Sequence, residues 1–398
     1  MPSPRTAFRL KRARRRDGPS QNVKFSKFSL IVCAVCCLAF AALLYPPIRA
    51  ELLRVEHQTA DWRTLFLSDR TAVTHPGIVV VAIDDDTLAA YPSKTPMPRD
   101  LIANLIRAIY SARPAAIGLD VLILEERPFT DDLLAVLQSV KSHVVLGAAD
   151  RRANSQFKQA QFDYQKRFID SSRQSSGHMD LKYERDGVVR YSSPAEDPDY
   201  PLSVPDALAG QLNKVVPSGS TRIAWLLPPR DGSPTFLSIP AQQLLSQPNA
   251  PLPEEIAKKL AGKVVLVAGT LPYIYQHRTP LSVWSGEKMQ GVIVHAHHVA
   301  QLLDGRHYSE LDKNTTFVLL VGIAVITTAL GWYSWHKQID FLGTTLGTLA
   351  LICADAIAYA GFRLILPFTL SLCALILGLT CGRHLGKMTS SINRQRAR

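Results

Sequence analysis

Carboxylates bunch at two points of the sequence. Asp84, Asp85 and Asp86 follow the apolar run Ile78 to Ile83, and Asp120 sits in a second run, Ala115 to Val121. Clustered acids raise one another's pKa unless a cation shares them, so one reading is a site for a hard cation or a polar ligand. Glu125 and Glu126 could add ligands to it. On this reading Asp84, Asp86 and Asp120 are the metal-ligating candidates, the metal itself being unknown. The other reading is solvation of loop starts, with Asp86 capping a short helix near Thr87 to Ala90. Arg99, in the stretch TPMPRD, follows two prolines and precedes a helix. It is placed either to pair with Asp84 or Asp120 or to bind a ligand, while Asp100 suits the first helical turn. The candidate ligand-binding residues are therefore Asp84, Asp85, Asp120, Arg99 and His277. His295, His297 and His298 also cluster, but H-x-H-H does not follow the i, i+4 spacing of zinc-binding helices. A packing or hydrogen-bonded role fits them better. Asp355 lies in an apolar run near its outer end, and no second charge in hydrocarbon is expected to partner it. No phosphate-cradling glycine motif, GxSxG or HExxH is present, so no cofactor and no catalytic residue is assigned.

The elements that must position these residues are legible. Ile78 to Ile83 is continuous, apolar and β-branched. From Arg99 the apolar positions Leu101, Ile102, Leu105, Ile106 and Ile109 recur at helical spacing, and Ala115 to Val121 repeats the first run. Strand, helix and strand within about 45 residues make a βαβ unit, whose parallel strands are buried on both faces. Ligands of such sheets sit beyond the carboxyl ends of the strands, where both acidic clusters fall. Asp131 to Val140 reads as a helix, His143 to Ala149 and Lys263 to Gly269 as buried strands, and Arg222 to Leu227 as a further strand. Val204 to Leu212 and Glu254 to Leu260 read as helices, Gly291 to His295 as a strand or helix start, and His295 to Leu303 as a helix. Residues 150–190 read as a polar insertion, with a hairpin at Asp186-Gly187.

Charge and hydropathy divide the chain. It has 398 residues, 47% hydrophobic, with 45 basic and 33 acidic side chains and a net charge of +12. Residues 1–27 hold nine Lys/Arg and one acid, and residues 383–398 hold five and no acid. The body is thus near neutral, which argues against nucleic acid as a partner. Basic tails beside apolar segments are instead the positive-inside pattern of a membrane protein in contact with the lipid bilayer. All six cysteines lie in apolar segments, which excludes a disulfide framework or cysteine zinc site in residues 46–314. Four apolar runs, 28–45, 315–335, 339–360 and 364–382, are each near the ~20 residues that a spanning helix needs. The first is read as an uncleaved anchor, because a cut after Ala50 would put Ile48 and Arg49 at the cleavage site. Four spans place the tails 1–27 and 383–398 in the cytoplasm and residues 46–314 outside. The expected fold class is an α/β extracytoplasmic domain with a largely parallel central sheet, plus four transmembrane α-helices.

The order of motifs resembles the type-two CHASE domain, an extracellular sensory module of bacterial membrane receptors. The matching residues are Ala82 to Asp85, Pro96, Pro98, Arg99, Ala116 to Asp120, and Asp131 with Asp132. Asp186 to Arg190 is similar to the family's DGxxR step, and Leu260 to Gly269 to its "L-x-GK-VVLVG" strand. Thr279-Pro280 with Gly291 to Ala296 is similar to its "TP…GVxxHA" close. The resemblance covers roughly residues 46–310. It departs at Tyr275, where the family usually has Asp. It departs again at the end, since members often continue into an output domain and this sequence stops soon after its last span. The resemblance implies an inner-membrane receptor that binds an unknown small extracytoplasmic ligand and signals to a separate cytoplasmic or membrane output protein. A homodimer is compatible with it. The alternatives are a metal-dependent envelope hydrolase using the Asp84/Asp120 mouth, and a ligand-free envelope assembly protein.

Overall fold

A computed structural model describes residues 27–397 except 93, 141–142, 195–196, 246–251, 273 and 338–339. The basic tail expected at residues 1–27 therefore lies outside the described residues except for Lys27. The chain divides into two compact units. One comprises Tyr45–Leu319 with Leu349–Leu372; the other gathers the first helix, Leu320–Thr348 and the chain from Cys373.

In the larger unit, α2 (Pro46–Leu67) follows α1 (Lys27–Leu44) and opens on Pro46-Pro47, residues whose fixed φ suits a first helical turn. The apolar runs form the centre of a parallel sheet. Its strands are β1 (Ile78–Ile83), β2 (Ala116–Asp120), β3 (His143–Ala148), β4 (Ser175–His178), β7 (Leu237–Pro240) and β8 (Val264–Gly269), in the order β4-β3-β2-β8-β1-β7. The short pair β5 (Lys182–Tyr183) and β6 (Val189–Tyr191) is the antiparallel hairpin expected at Asp186-Gly187, and Gly187 takes a φ of +74° there. Between β1 and β2 lie α3 (Asp85–Leu88) and α4 (Arg99–Ser111), followed by α5 (Thr130–Ser139), α6 (Gln159–Ser172) and α7 (Val204–Gln211). Next come α8 (Gln242–Leu245), α9 (Glu254–Leu260), α10 (Ser282–Ser285) and α11 (Gly291–Asp304).

Alternation along each strand separates two cores. Val79, Val81, Ile117, Leu119, Val265 and Val267 face α4, α5 and the helices beside them. Ile78, Val80, Ala116, Leu266 and Ala268 face α7 and α11. Gly118 is what admits α7, because a Cβ there would stand 2.7 Å from Leu266 Cδ2 and 2.8 Å from Leu208 Cδ1. Burying both faces explains why the strands are unbroken apolar runs.

Two expectations are corrected. Residues 150–190 are not a bare polar insertion: α6 buries Phe162, Phe168 and Ile169, and β4 extends the sheet by pairing with β3. The signal was missed because β4 reads SSGH, a polar edge strand. Arg222 to Leu227 is not a sheet strand. It is held by isolated bridges at Tyr191–Arg222 and Arg70–Leu227, and β7 takes the sheet edge instead.

The C-terminal helices are α12 (Lys313–Lys337), α13 (Asp340–Phe362) and α14 (Phe368–Ala397). Three stretches within them, Lys313–Ser334, Thr344–Phe362 and Phe368–Ser391, are long and apolar enough to cross a membrane, and the apolar part of α1 is the shorter Ser29–Ala41. In the smaller unit α12 and α14 touch along glycines. A Cβ on Gly378 would meet Thr327 Oγ1, and one on Gly382 would meet the Thr328 carbonyl. Glycines four residues apart on an apolar helix permit this close approach, which stabilises helix pairs where hydrophobic burial cannot.

Candidate functional site

A cavity of about 580 Å³ opens at the carboxyl edge of the sheet, lined by the ends of β2, β3 and β8 and the first turn of α11. Its position follows from topology. The chain leaves β2 towards α5 on one face and leaves β8 towards α11 on the other, so a crevice opens between two adjacent strands. Asp120, the last residue of β2, lines it. Its carboxylate makes no hydrogen bond or ion pair among the described residues. Loss of hydration pushes its pKa above the usual carboxylate range, and His295 partly offsets this. Arg99, the first residue of α4, lines the same cavity and is 1% exposed. Among the described residues its guanidinium donates only to the carbonyls of Met97 (3.2 Å) and Glu125 (3.3 Å), while Nε has no partner. Burial lowers its pKa.

His277 and Tyr183 share a 2.5 Å hydrogen bond across the cavity wall. Burial, aided by His295 and Lys288, drops His277 to about 4, so the ring is neutral at pH 7. Asp180 also lines the cavity and accepts from Asn154 Nδ2 (2.6 Å) and the Asp150 amide (3.2 Å). The lining thus offers binding groups of both signs around an apolar space.

Of the candidates, Asp120, Arg99 and His277 come together here, and Asp84, Asp85 and Asp86 do not. The expected convergence of the two acidic clusters fails because β8 inserts between β1 and β2, separating their ends by two strand spacings, or about 10 Å. Asp84, not Asp86, is the cap of α3, accepting from the Thr87 amide (2.8 Å) and hydroxyl (2.6 Å). Asp85 pairs with Lys94 at the surface, and Asp86 is exposed. Arg99 pairs with neither Asp84 nor Asp120. Glu125 reaches the cavity wall, but its carboxylate holds Arg127 Nε (2.8 Å). Among the described residues no group of three or more His, Cys, Asp or Glu is arranged to hold a metal.

Of the helical histidines, His297 packs between Trp225 and Phe236, accepts from the Leu226 amide (3.2 Å), and is lowered by burial to about 3. His298 lies 3.4 Å from Asp206. His295 is the one of the three that reaches the cavity. Sequence reasoning missed its role, along with Asp180 and Tyr183, because their elements meet only through long-range packing. Tyr275, where the family usually has Asp, lines the cavity.

A second constellation runs along α2. Asp61, 1% exposed, holds Arg190 through two hydrogen bonds of 2.8 and 2.6 Å and lies 3.8 Å from Arg222. Arg190 also binds Asp186, so the DGxxR step is a buried clasp on α2. Two residues on, Arg63 binds Glu56 (2.8 Å) and Asp355 (2.5 Å), and Glu56 accepts from the Phe368 and Thr369 amides (3.1 and 2.7 Å). Asp355 is therefore not unpartnered: its cation comes from α2, outside the apolar runs, where a scan for charges in hydrocarbon could not find it.

No curated protein and no solved structure matches this chain. A family model described as "CHASE2 domain" matches residues 33–332. That span contains the whole sheet, the cavity residues and the clasp on α2. The chain belongs to the CHASE2 family of sensory domains.

Proposed function

We propose that this CHASE2 protein is an extracytoplasmic receptor of the inner membrane. Its sheet-edge cavity binds a small ligand, and its helices pass the change to a separate cytoplasmic or membrane output protein. The observation that carries the reading is Asp120, a carboxylate without a hydrogen bond among the described residues, in a cavity of about 580 Å³. A charged acceptor left unsatisfied in a roomy pocket costs stability when the pocket is empty and finds its partners when it is filled. The basic tails favour four spans, with α1 as the first, both ends in the cytoplasm and the α/β domain outside. α2 is the natural transmitter, since Asp61 ties it to the domain, Arg63 ties it to Asp355 and Glu56 ties it to the start of α14. Signalling of this kind requires the ligand to bind two states of the clasp unequally.

The test is a thermal-unfolding screen of the full chain in lipid nanodiscs against metabolites and metals. A ligand that raises the melting temperature of the wild type and leaves Asp120→Ala unmoved supports the reading; equal stabilisation of both refutes it. Reporters inserted near Lys214 or Gln242 check the orientation, since activity confined to the cytosol would overturn the topology.

A further inference from the structure

We infer that the ligand is a small zwitterion of the α-amino-acid type, its ammonium taken by Asp120 and its carboxylate by Arg99. This deepens the receptor reading and rests on it. Two charged groups of opposite sign line one cavity, and among the described residues neither is ion-paired. Asp120 has no hydrogen bond among the described residues, and Arg99 is 1% exposed with Nε orphaned and only carbonyl acceptors on its other nitrogens. A buried guanidinium is satisfied by a carboxylate, whose paired oxygens match its planar fork. A bare carboxylate is satisfied by an ammonium, which brings three donors and the opposite charge. Asp120 and Arg99 do not form an ion pair with each other, so a ligand carrying both charges completes both at once.

The rest of the lining agrees. His277 is neutral at pH 7 and bonded to Tyr183, so it adds no competing cation. Asp180 is already engaged by Asn154 and the Asp150 amide. Phe157, Met179, Leu181 and Tyr275 supply apolar and aromatic surface for a side chain. A ligand with one charge would leave the other group buried without its counterion, and discrimination against an analogue that strands a buried polar group is large, on the order of 10⁴-fold in built sites.

The experiment uses the full chain in nanodiscs, titrated with each standard L-amino acid, with leucine's amine and carboxylic-acid counterparts (isopentylamine and 4-methylpentanoate), and with the corresponding pair for phenylalanine. The expected result is a rise in melting temperature with at least one amino acid, weakened at least about 100-fold in affinity by removing either charge. Asp120→Asn, isosteric and folded, should lose that response, and Arg99→Lys should weaken it. No rise with any amino acid at about 10 mM overturns the inference. An amine or carboxylate that binds as tightly as the zwitterion, with its response abolished by Asp120→Ala, overturns it while leaving the receptor reading standing. An amino-acid response unchanged in Asp120→Asn overturns both, because the ligand then binds elsewhere.

Discussion

Asp61→Leu tests whether the clasp on α2 is structural. Arg190 is 1% exposed and donates Nε and Nη2 to the two oxygens of Asp61, with Arg222 3.8 Å away. Deleting the carboxylate leaves one buried guanidinium with Asp186 and another with Glu310. Removing one partner of a buried pair costs about 3–5 kcal/mol, most of it the exposure of the remaining charge to an apolar site. For a domain of this size each kcal/mol corresponds to roughly 2–4 °C, so the melting temperature should fall by about 10 °C. The assay is thermal unfolding of the full chain in nanodiscs. Arg190→Met should cost a similar amount, and the double variant should cost less than the sum by about 2 kcal/mol or more, because no charge is then stranded between them. A fall below about 2 °C, or strictly additive costs, would refute the account of DGxxR as a charge clasp on α2.

Asp120→Asn should raise the stability of the ligand-free protein at neutral pH. The folded carboxyl has a raised pKa, so its stability contribution is full below the unfolded value and is lost as pH rises; the advantage of the variant should therefore vanish below about pH 4. An advantage that persists at acid pH would show that ionisation is not its source. Asp186 behaves oppositely. Burial works to raise its pKa, but the Arg190 hydrogen bonds outweigh it and hold the carboxyl low, so its contribution is present above about pH 4 and is lost on acidification. Acid titration of wild type against Asp186→Asn should show the difference shrinking below that pH. Gly118→Val should destabilise by about 1–3 kcal/mol, since its Cβ stands 2.7 Å from Leu266, and denaturant unfolding measures this. Gly382→Ile should separate α12 from α14, because a Cβ there meets the Thr328 carbonyl; thermal unfolding in nanodiscs should show a lower melting temperature, and an unchanged one would contradict the contact line.

The sequence by itself determined the apolar strands, the amphipathic α4, the hairpin at Asp186-Gly187 and the long C-terminal helices. Each is a local pattern of period two, period 3.6 or unbroken hydropathy, which needs no knowledge of neighbours. It also brought Asp120 and Arg99 forward, as charges at the end of a strand and the start of a helix. Only the tertiary structure decided that Asp84 to Asp86 stand apart from them, because β8, distant in sequence, takes the place between β1 and β2. It likewise decided that Asp355 answers to Arg63 and Arg190 to Asp61, pairs separated by 292 and 129 residues. Residue type and spacing announce that a charge is present; which charge it meets depends on strand order and helix packing, set by the whole chain at once.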